Sequence, residues 1–299
     1  MLAHRRAALW SAGILVVAAA TLSLAAIVTT NLSDSLPPTS APTRSQFPSE
    51  SDTGVPAGTI LSNYSGPCTI DKSGTILDSQ RVHCEPLTIA ASGITISRSR
   101  LGPINMDGEH FSASIVDSEI DAGSFIGPAI GYANISLLTS EVRGGQHSVL
   151  CSRNCLIERS LLHDQSLPAG EARHNNAFLS NGGDNIVIRY NTLQCTPPDN
   201  AAGGGCSADL SLFGDFEPIT NVTIDDNLFR ATPGAFCLRL GYDPSKTYGS
   251  KTARVVVRNN VFERGPTGQC GTLGPVTSAP SDLDWASNSF DDAATLEPP

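Results

Sequence analysis

Residues 94–101 read Ile-Thr-Ile-Ser-Arg-Ser-Arg-Leu, and this stretch contains the pattern that decides the fold. Ile96 is followed by a small polar residue three places on, Ser99, and by an apolar residue five places on, Leu101. Similar triads occur eight more times, with steps of 19, 19, 22, 20, 31, 36, 33 and 28 residues between their first members. Such a recurrence indicates a solenoid. The triads are Leu77-Gln80-Val82, Ile96-Ser99-Leu101, Ile115-Ser118-Ile120, Leu137-Ser140-Val142, Ile157-Ser160-Leu162, Ile188-Asn191-Leu193, Ile224-Asn227-Phe229, Val257-Asn260-Phe262 and Trp285-Asn288-Phe290.

The repeating segments are predicted to be strands, because apolar and polar residues alternate along them and β-branched residues are frequent. Residues 94–97, 222–225 and 255–258 show this alternation. A step of about 20 residues fits one coil of a parallel β-helix, in which successive coils stack their strands in register. The sequence therefore predicts an all-β solenoid of about nine coils.

The middle member of the triad is Gln once, then Ser four times, then Asn four times. Equivalent residues of stacked coils lie about 4.8 Å apart, so these side chains are expected to hydrogen-bond along the stack, as Asn ladders do. The bends between strands also require unusual backbone angles, which Asn tolerates. We therefore expect the Ser and Asn positions to form a ladder at one corner of the coil.

Composition narrows the function. The chain has 299 residues, of which 16% are charged, with 27 Gly, 20 Pro and a net charge of −10. An acidic chain argues against a nucleic-acid partner, which requires a basic face. It argues more weakly against a protein that attracts polyanions by its overall charge, because a local basic groove can override the net charge.

The first 30 residues resemble a targeting segment. Arg5 and Arg6 precede an uncharged, mainly apolar stretch from Ala7 to Thr30, which is long enough to span a bilayer. We favour an uncleaved signal-anchor with the arginines inside the cell, over a long cleaved signal peptide. The first case places the protein in the cell membrane with a single pass and its main domain outside the cytoplasm; in the second the protein is secreted.

Residues 31–57 are rich in Pro, Ser and Thr and contain little to bury. This composition predicts a disordered or extended linker. The repeats then occupy residues 58–299, which we read as one domain.

All eight cysteines follow this linker, and an even number in an exported chain indicates disulfides. Sequence order suggests the pairs 68–84, 151–155, 195–206 and 237–270. Cys237 and Cys270 also lie four residues before Gly241 and Gly274, which would stack them on neighbouring coils. A metal site is the alternative, but Cys151 and Cys155 have no second pair of similar spacing. The residues are Cys68, Cys84, Cys151, Cys155, Cys195, Cys206, Cys237 and Cys270.

The strand and turn segments 185–193, 221–229 and 253–262 resemble repeats of right-handed parallel β-helices. More narrowly, residues 58–299 are similar to exported bacterial members of the pectate-lyase-like superfamily. The resemblance implies a right-handed coil. It does not specify a function, because this fold carries lyases, hydrolases, epimerases, adhesins and proteins without activity.

A site is expected where the repeats lengthen, from residue 162 onward, since insertions in consecutive repeats tend to line one face. The catalytic candidates are His163, Asp164, Arg173 and His174, because a glycan site needs a general acid or base and a cation to hold a carboxylate. The alternative is that these are ordinary polar loop residues. The candidates for binding substrate are Asp209, Asp215, Tyr242 and Tyr248, the tyrosines by stacking on sugar rings.

The acids Asp164, Asp209 and Asp215 are alternatively Ca²⁺ ligands, but the chain lacks a dense run of Asp ligands like that of pectate lyases. No other cofactor is indicated. Relatives often read His-x-Asp-Gly where this chain has His174, Asn176 and Ala177. A carboxylate that relatives carry at this position is therefore missing here, which argues against catalysis.

Two functions compete. One is a polysaccharide lyase or glycosidase acting on cell-wall or extracellular glycan, which predicts that His163, Arg173, His174 and an Asp converge in one groove. The other is a non-catalytic envelope protein that binds glycan or another protein, or serves as a scaffold, which predicts scattered titratable groups and exposed aromatic rings. Of the possible partners we favour a polysaccharide or cell-envelope glycan. The sequence does not indicate an oligomeric state.

Overall fold

The computed structural model describes residues 47–299, which form three long sheets of parallel strands. The predicted signal-anchor and residues 31–46 of the predicted linker lie outside these residues. The chain visits the three sheets in turn, so each circuit lays one strand on each sheet. This arrangement is a parallel β-helix, as the repeats predict. Among residues 47–299, no helix is long and apolar enough to cross a membrane.

We number the strands β1 to β28 in chain order. Sheet A has ten strands: β1 (Ser62–Asn63), β4 (Gln80–Arg81), β7 (Arg100–Leu101), β10 (Glu119–Asp121), β13 (Glu141–Arg143), β16 (Leu161–Leu162), β19 (Thr192–Leu193), β22 (Leu228–Phe229), β25 (Val261–Phe262) and β28 (Ser289–Phe290). Sheet B has nine: β2 (Thr69–Ile70), β5 (Leu87–Ile89), β8 (Ile104–Met106), β11 (Ile130–Tyr132), β14 (His147–Cys151), β17 (His174–Ser180), β20 (Gly205–Phe213), β23 (Phe236–Gly241) and β26 (Gly274–Val276). Sheet C has nine: β3 (Ile76–Asp78), β6 (Ile94–Ser97), β9 (Ala113–Val116), β12 (Ile135–Leu138), β15 (Arg153–Glu158), β18 (Gly183–Arg189), β21 (Ile219–Asp225), β24 (Ala253–Arg258) and β27 (Asp284–Ala286). Between Tyr242 and Ala253 a 3-10 helix spans Gly249–Lys251.

The nine triads define the register of the solenoid. Their first residues lie on sheet C and are Cα partners of one another from Leu77 to Trp285 without a slip. Their last residues lie on sheet A, except Val82, which directly follows β4, so each triad spans the corner between these two sheets. The aliphatic members are buried in one continuous core. Further along the axis the core becomes aromatic, where the rings of Phe229 and Phe262 stack with centroids 4.7 Å apart.

The middle triad residues form the predicted ladder. At each of eight steps, the backbone N–H of the triad residue in one coil donates to the side-chain oxygen of its equivalent in the next coil, at 2.9–3.1 Å. Each serine hydroxyl also donates to a carbonyl two residues earlier, as Ser140 Oγ does to Leu138 at 2.8 Å. The ladder therefore satisfies buried backbone donors at a corner where no strand partner is available.

The unusual backbone angles do not occur at the ladder residues themselves. The left-handed residue is the one before, with φ between 46° and 57° in all nine coils. Only one of the nine is Asn; the others include Arg98, Thr139 and Tyr190. Our expectation that Asn is selected here for its backbone tolerance was therefore wrong, and its hydrogen bonds are the better explanation.

All four predicted cysteine pairs form disulfides, and no cysteine is free. The register argument for the 237–270 pair was wrong, however. Gly241 pairs with Phe213, and Gly274 pairs with Phe236, so the two glycines do not mark equivalent positions. Cys270 lies before β26, in the connection that leads into it, and reaches Cys237 from there.

Residues 47–61, which we call the N-terminal strap, cross the outer face of sheet A. Phe47 forms a small apolar cluster with Leu228 and Val261. The Thr192 hydroxyl donates to the Pro48 carbonyl at 2.7 Å, and the Gly54 N–H donates to Thr139 at 3.1 Å. The strap therefore runs along sheet A from the later coils towards the earlier ones. The final part of the predicted linker lies on the domain.

Candidate functional site

The longer repeats place their extra residues on both sides of sheet B. Residues 163–173 and 194–204 connect sheet A to sheet B, and residues 242–252 connect sheet B to sheet C. The predicted catalytic and substrate-binding residues lie in these connections or in the strands beside them, except Asp215, which lies in the short connection between β20 and β21. Two clefts result, one under the N-terminal strap and one on the outer face of sheet B.

His163 follows β16 and lies under the strap, at a cleft of about 550 Å³ whose lining includes Phe47, Leu161 and Arg230. Its imidazole is only 7% exposed and is held between two carboxylates. Nε2 lies 3.1 Å from Glu141 Oε1, and Nδ1 lies 3.0 Å from Asp164 Oδ2.

Burial disfavours the charged imidazole of His163, but the hydrogen bond with Glu141 and the charge of Asp164 outweigh it, and the pKa of His163 is raised. The same hydrogen bond lowers the pKa of the Glu141 carboxyl. Both partners are thus stabilised in their charged forms. Because both ring nitrogens are engaged, neither is available to take a proton from a substrate, and the arrangement is that of a structural ion pair.

The other catalytic candidates do not join His163. Arg173 forms an ion pair with Glu171, at 3.3 Å. His174 is exposed, and its carbonyl accepts a hydrogen bond from Gln146 Nε2 at 3.0 Å. Within residues 47–299 no hydrogen bond or ion pair links Arg173 or His174 to His163. Asp164 does contact His163, with its side chain 62% exposed.

Asn176, which stands where the resemblance drawn from the sequence implies an acid, is buried. Its Oδ1 accepts a hydrogen bond from the Ser211 hydroxyl, and its Nδ2 lies 3.3 Å from His147 Nδ1. Burial lowers the pKa of His147 to about 4, so its ring is neutral and can accept this hydrogen bond. The amide here has a structural role.

Asp209 is fully buried, with 0% exposure. Its Oδ1 accepts the Cys195 N–H at 2.7 Å, while Oδ2 has no hydrogen-bond partner. Burial raises the pKa of this carboxyl well above its usual value. A carboxylate oxygen of Asp209 lies within 4.8 Å of the sulfurs of Cys237 and Cys270, but these form a disulfide and are not available as thiolates. Asp209 is inaccessible to a polysaccharide.

The outer face of sheet B carries the second cleft, with a volume of about 600 Å³. It is built on β20, β23 and the beginning of the 242–252 connection. Arg239 lies between two phenyl rings, with Cζ 5.0 Å from the ring centroid of Phe236 and 5.8 Å from that of Phe213. Tyr242 and Thr277 also line the cleft. Aromatic rings and a cation therefore meet in one open depression.

Asp243 is the acid that acts on the Arg239 guanidinium, but no salt bridge joins the two residues. The Nε of Arg239 is buried without a hydrogen bond, and the side chain forms no ion pair within residues 47–299. Burial lowers its pKa, although Asp243 partly offsets this effect. Ten other arginines in the same range are paired with an acid; they are Arg98, Arg100, Arg143, Arg153, Arg159, Arg173, Arg189, Arg230, Arg258 and Arg264.

Asp215 lies at the edge of the same face. It pairs with Lys246 at 2.9 Å, and the Lys246 ammonium lies 5.0 Å from the centroid of the Phe213 ring. Tyr248 donates its backbone N–H to Gly214, and its ring lies 5.4 Å from the Lys251 ammonium. Of the four residues proposed for substrate binding, Tyr242 thus lines the cleft, Asp215 and Tyr248 lie on the connections beside it, and Asp209 is buried elsewhere.

The sequence analysis missed Glu141, Arg239 and Phe236. Arg239 lies between Leu238 and Leu240 in a strand, and the alternation of apolar and polar residues predicts that its side chain points outward. The sequence therefore contains a signal for Arg239. Its Cα partner on β20, Ser211, is uncharged and so offers no ion pair. Glu141 belongs to β13, in a coil that precedes the longer repeats.

Comparison with protein-family models, curated proteins and solved structures finds no match to this chain.

Proposed function

We propose that this β-helix is directed at polysaccharide and binds a carboxylate-bearing sugar chain in the cleft on sheet B. The observation that carries the proposal is Arg239, a cation that forms no salt bridge within residues 47–299 and is held between two phenyl rings in an open cleft. A guanidinium forms paired, charge-assisted hydrogen bonds with a carboxylate, and phenyl and phenol rings offer flat apolar faces to a sugar ring.

The surroundings favour an anionic group over a neutral one. A half-buried guanidinium without a counter-ion is costly, and a bound carboxylate would remove that cost. The net charge of −10 argues against broad attraction of polyanions. We therefore expect selective binding of one or two sugar units at a local positive site.

Binding without bond cleavage is the better supported form of this proposal. The ionisable groups that line the cleft are Arg239, Tyr242 and Asp243. Hydrogen bonds from the hydroxyl and N–H of Ser245 lower the pKa of Asp243, which makes it a weak base. A general acid or base works best with a pKa near the operating pH, and the pKa of Asp243 is shifted away from it. His163, whose pKa is raised, lies beside sheet A with both ring nitrogens engaged.

The proposal also includes the cellular location of the domain. The N-terminal segment would hold it to the cell membrane, or direct it to secretion, so that its partner is an envelope or extracellular glycan. Four disulfides are in keeping with an oxidising compartment. We propose in addition that the coil is right-handed and related to the pectate-lyase-like superfamily.

The test is a calorimetric titration of the oxidised protein with a uronic-acid oligosaccharide and with its methyl-esterified form. We expect saturable binding of the acid and at least tenfold weaker binding of the ester. Arg239→Gln should remove the preference, and Phe236→Ala should weaken both. Arg254→Gln is the matched control, since it removes the same charge on sheet C. Equal binding of acid and ester by the unaltered protein would contradict the role of Arg239.

A further inference from the structure

A second positive site lies on sheet A, at the opposite end of the solenoid from the proposed glycan cleft. Arg81 and Arg100 are Cα partners on the neighbouring strands β4 and β7. Both are exposed, and like charges directly opposite each other destabilise a sheet. A compensating anion is therefore expected beside them.

The protein supplies such an anion to only one of the two. Arg100 Nε lies 2.8 Å from Glu119 Oε2, while Glu119 Oε1 is engaged by Arg143 at 3.0 Å. On the same face, Glu141 and His163 continue the row of charged residues beyond Glu119. Within residues 47–299 the Arg81 side chain forms no ion pair and no hydrogen bond. Among the described residues, Arg81 is thus an unpaired cation at the end of the row Arg81, Arg100, Glu119 and Glu141.

The N-terminal strap lines one side of an open cavity beside these two arginines. Residues 55–59 and Leu61 form the wall facing Arg81 and Arg100, and the cavity volume is about 220 Å³. Ala57 and Gly58 line it, and their backbone N–H groups donate no hydrogen bond to any residue of 47–299. This volume is below the roughly 300–1,000 Å³ of pockets for drug-sized ligands, so it suits one small group and not a chain of sugars.

We infer that Arg81, Arg100 and the strap form a binding site for a single phosphate group. Two guanidinium groups present paired N–H donors, which match the oxygens of a phosphate. The phosphate would bridge the two arginines and replace their mutual repulsion by attraction. The group could belong to a soluble phosphate ester or to a lipid headgroup, and both present the same chemistry to the site.

The first experiment titrates the oxidised protein with inorganic phosphate at constant ionic strength, followed by ³¹P line broadening. We expect saturable binding of one phosphate per chain. Arg81→Gln should weaken it at least tenfold, because a hydrogen bond to a charged group contributes about 1.5–3 kcal/mol. Arg81→Lys should be intermediate, since it keeps the charge without the planar fork. Arg159→Gln is the matched control, because it removes the same charge at a residue that follows β15, outside this cavity, and whose side chain is 65% exposed.

Two further titrations identify the kind of molecule that carries the phosphate group. Glucose 6-phosphate and vesicles containing phosphatidic acid are compared for the unaltered protein and for Arg81→Gln, with neutral vesicles as the blank. An Arg81-dependent signal with the ester alone supports a soluble ligand, and one with the vesicles supports a headgroup. Phosphate binding that does not saturate, or that is equally strong in Arg81→Gln, overturns the inference. The glycan titrations above are independent of both outcomes, because they depend on Arg239.

Discussion

Replacing Asn227 by Ala should remove one step of the internal ladder and destabilise the whole solenoid. Asn227 is fully buried. Its Oδ1 accepts the backbone N–H and the Nδ2 of Asn191, both at 3.0 Å, and its own Nδ2 donates to the Ile188 carbonyl at 2.8 Å. Alanine leaves the Asn191 N–H and the Ile188 carbonyl without this partner. At about 1–3 kcal/mol for each buried group left unsatisfied, we expect a loss of about 2–6 kcal/mol.

The assay is urea unfolding of the oxidised protein, followed by far-ultraviolet circular dichroism. Asn227→Ser is the informative companion, because serine performs the same function in four earlier coils. It should lose clearly less stability than alanine. Asn105→Ala, in β8, removes an amide that forms no hydrogen bond within residues 47–299, and should change stability by less than about 0.5 kcal/mol. A loss below about 1 kcal/mol in Asn227→Ala, or equal losses for alanine and serine, would refute the role given to the ladder.

Three other predictions concern buried groups and the strap. Asp209→Asn should be no more stable than the unaltered protein near pH 4, and increasingly more stable as the pH rises. The pKa of Asp209 is higher in the folded protein than in the unfolded chain. The unaltered protein therefore loses stability as the pH rises towards the folded pKa, by about 1.4 kcal/mol per pH unit. Glu141→Gln should lower the Tm more at pH 6 than at pH 9, because the raised pKa of His163 makes the ion pair's contribution fall as the pH rises through it. Phe47→Ala should detach the strap at a cost of about 2 kcal/mol, seen as faster hydrogen exchange of the Gly54 amide with little change in Tm.

Each of these has a contrary result. A Tm difference for Asp209→Asn that is independent of pH between 4 and 8 would mean that the carboxyl is charged in the fold. Equal Tm losses for Glu141→Gln at pH 6 and pH 9 would show that His163 is not an imidazolium. Unchanged exchange at Gly54 in Phe47→Ala would show that the strap is held by other contacts.

Much of the fold was predictable, because a solenoid repeats its constraints at each coil. Ile96 is buried for the same reason as Ile115 and Leu137, and nine repetitions make the pattern visible in a single sequence. The disulfides followed from the order and the even number of the cysteines along the chain. The placement of the strap was not predictable, since Phe47 is one apolar residue in a Pro- and Ser-rich stretch and its cluster with Leu228 depends on the outer face of a distant coil.

The site was predicted less well, for an instructive reason. Sequence reasoning groups polar residues that are near one another in the chain, such as His163 with His174, but a β-helix brings together residues one coil apart. His163 thus meets Glu141, which is 22 residues away. The long repeats do include the coils that carry Tyr242 and the Arg239 cleft. The unpaired state of Arg239 depends on its register neighbours, and these follow only from the pairing of β20 with β23.

Binding and turnover should be followed on one ligand, because non-catalytic binding is what we propose for the sheet B cleft. The oxidised protein is titrated with a uronic-acid oligosaccharide by calorimetry, and the same mixture is then analysed for new reducing ends and unsaturated products after prolonged incubation. We expect saturable binding that depends on Arg239, with the oligosaccharide recovered intact. Absence of binding, binding unchanged in Arg239→Gln, or cleavage of the oligosaccharide would contradict the proposal.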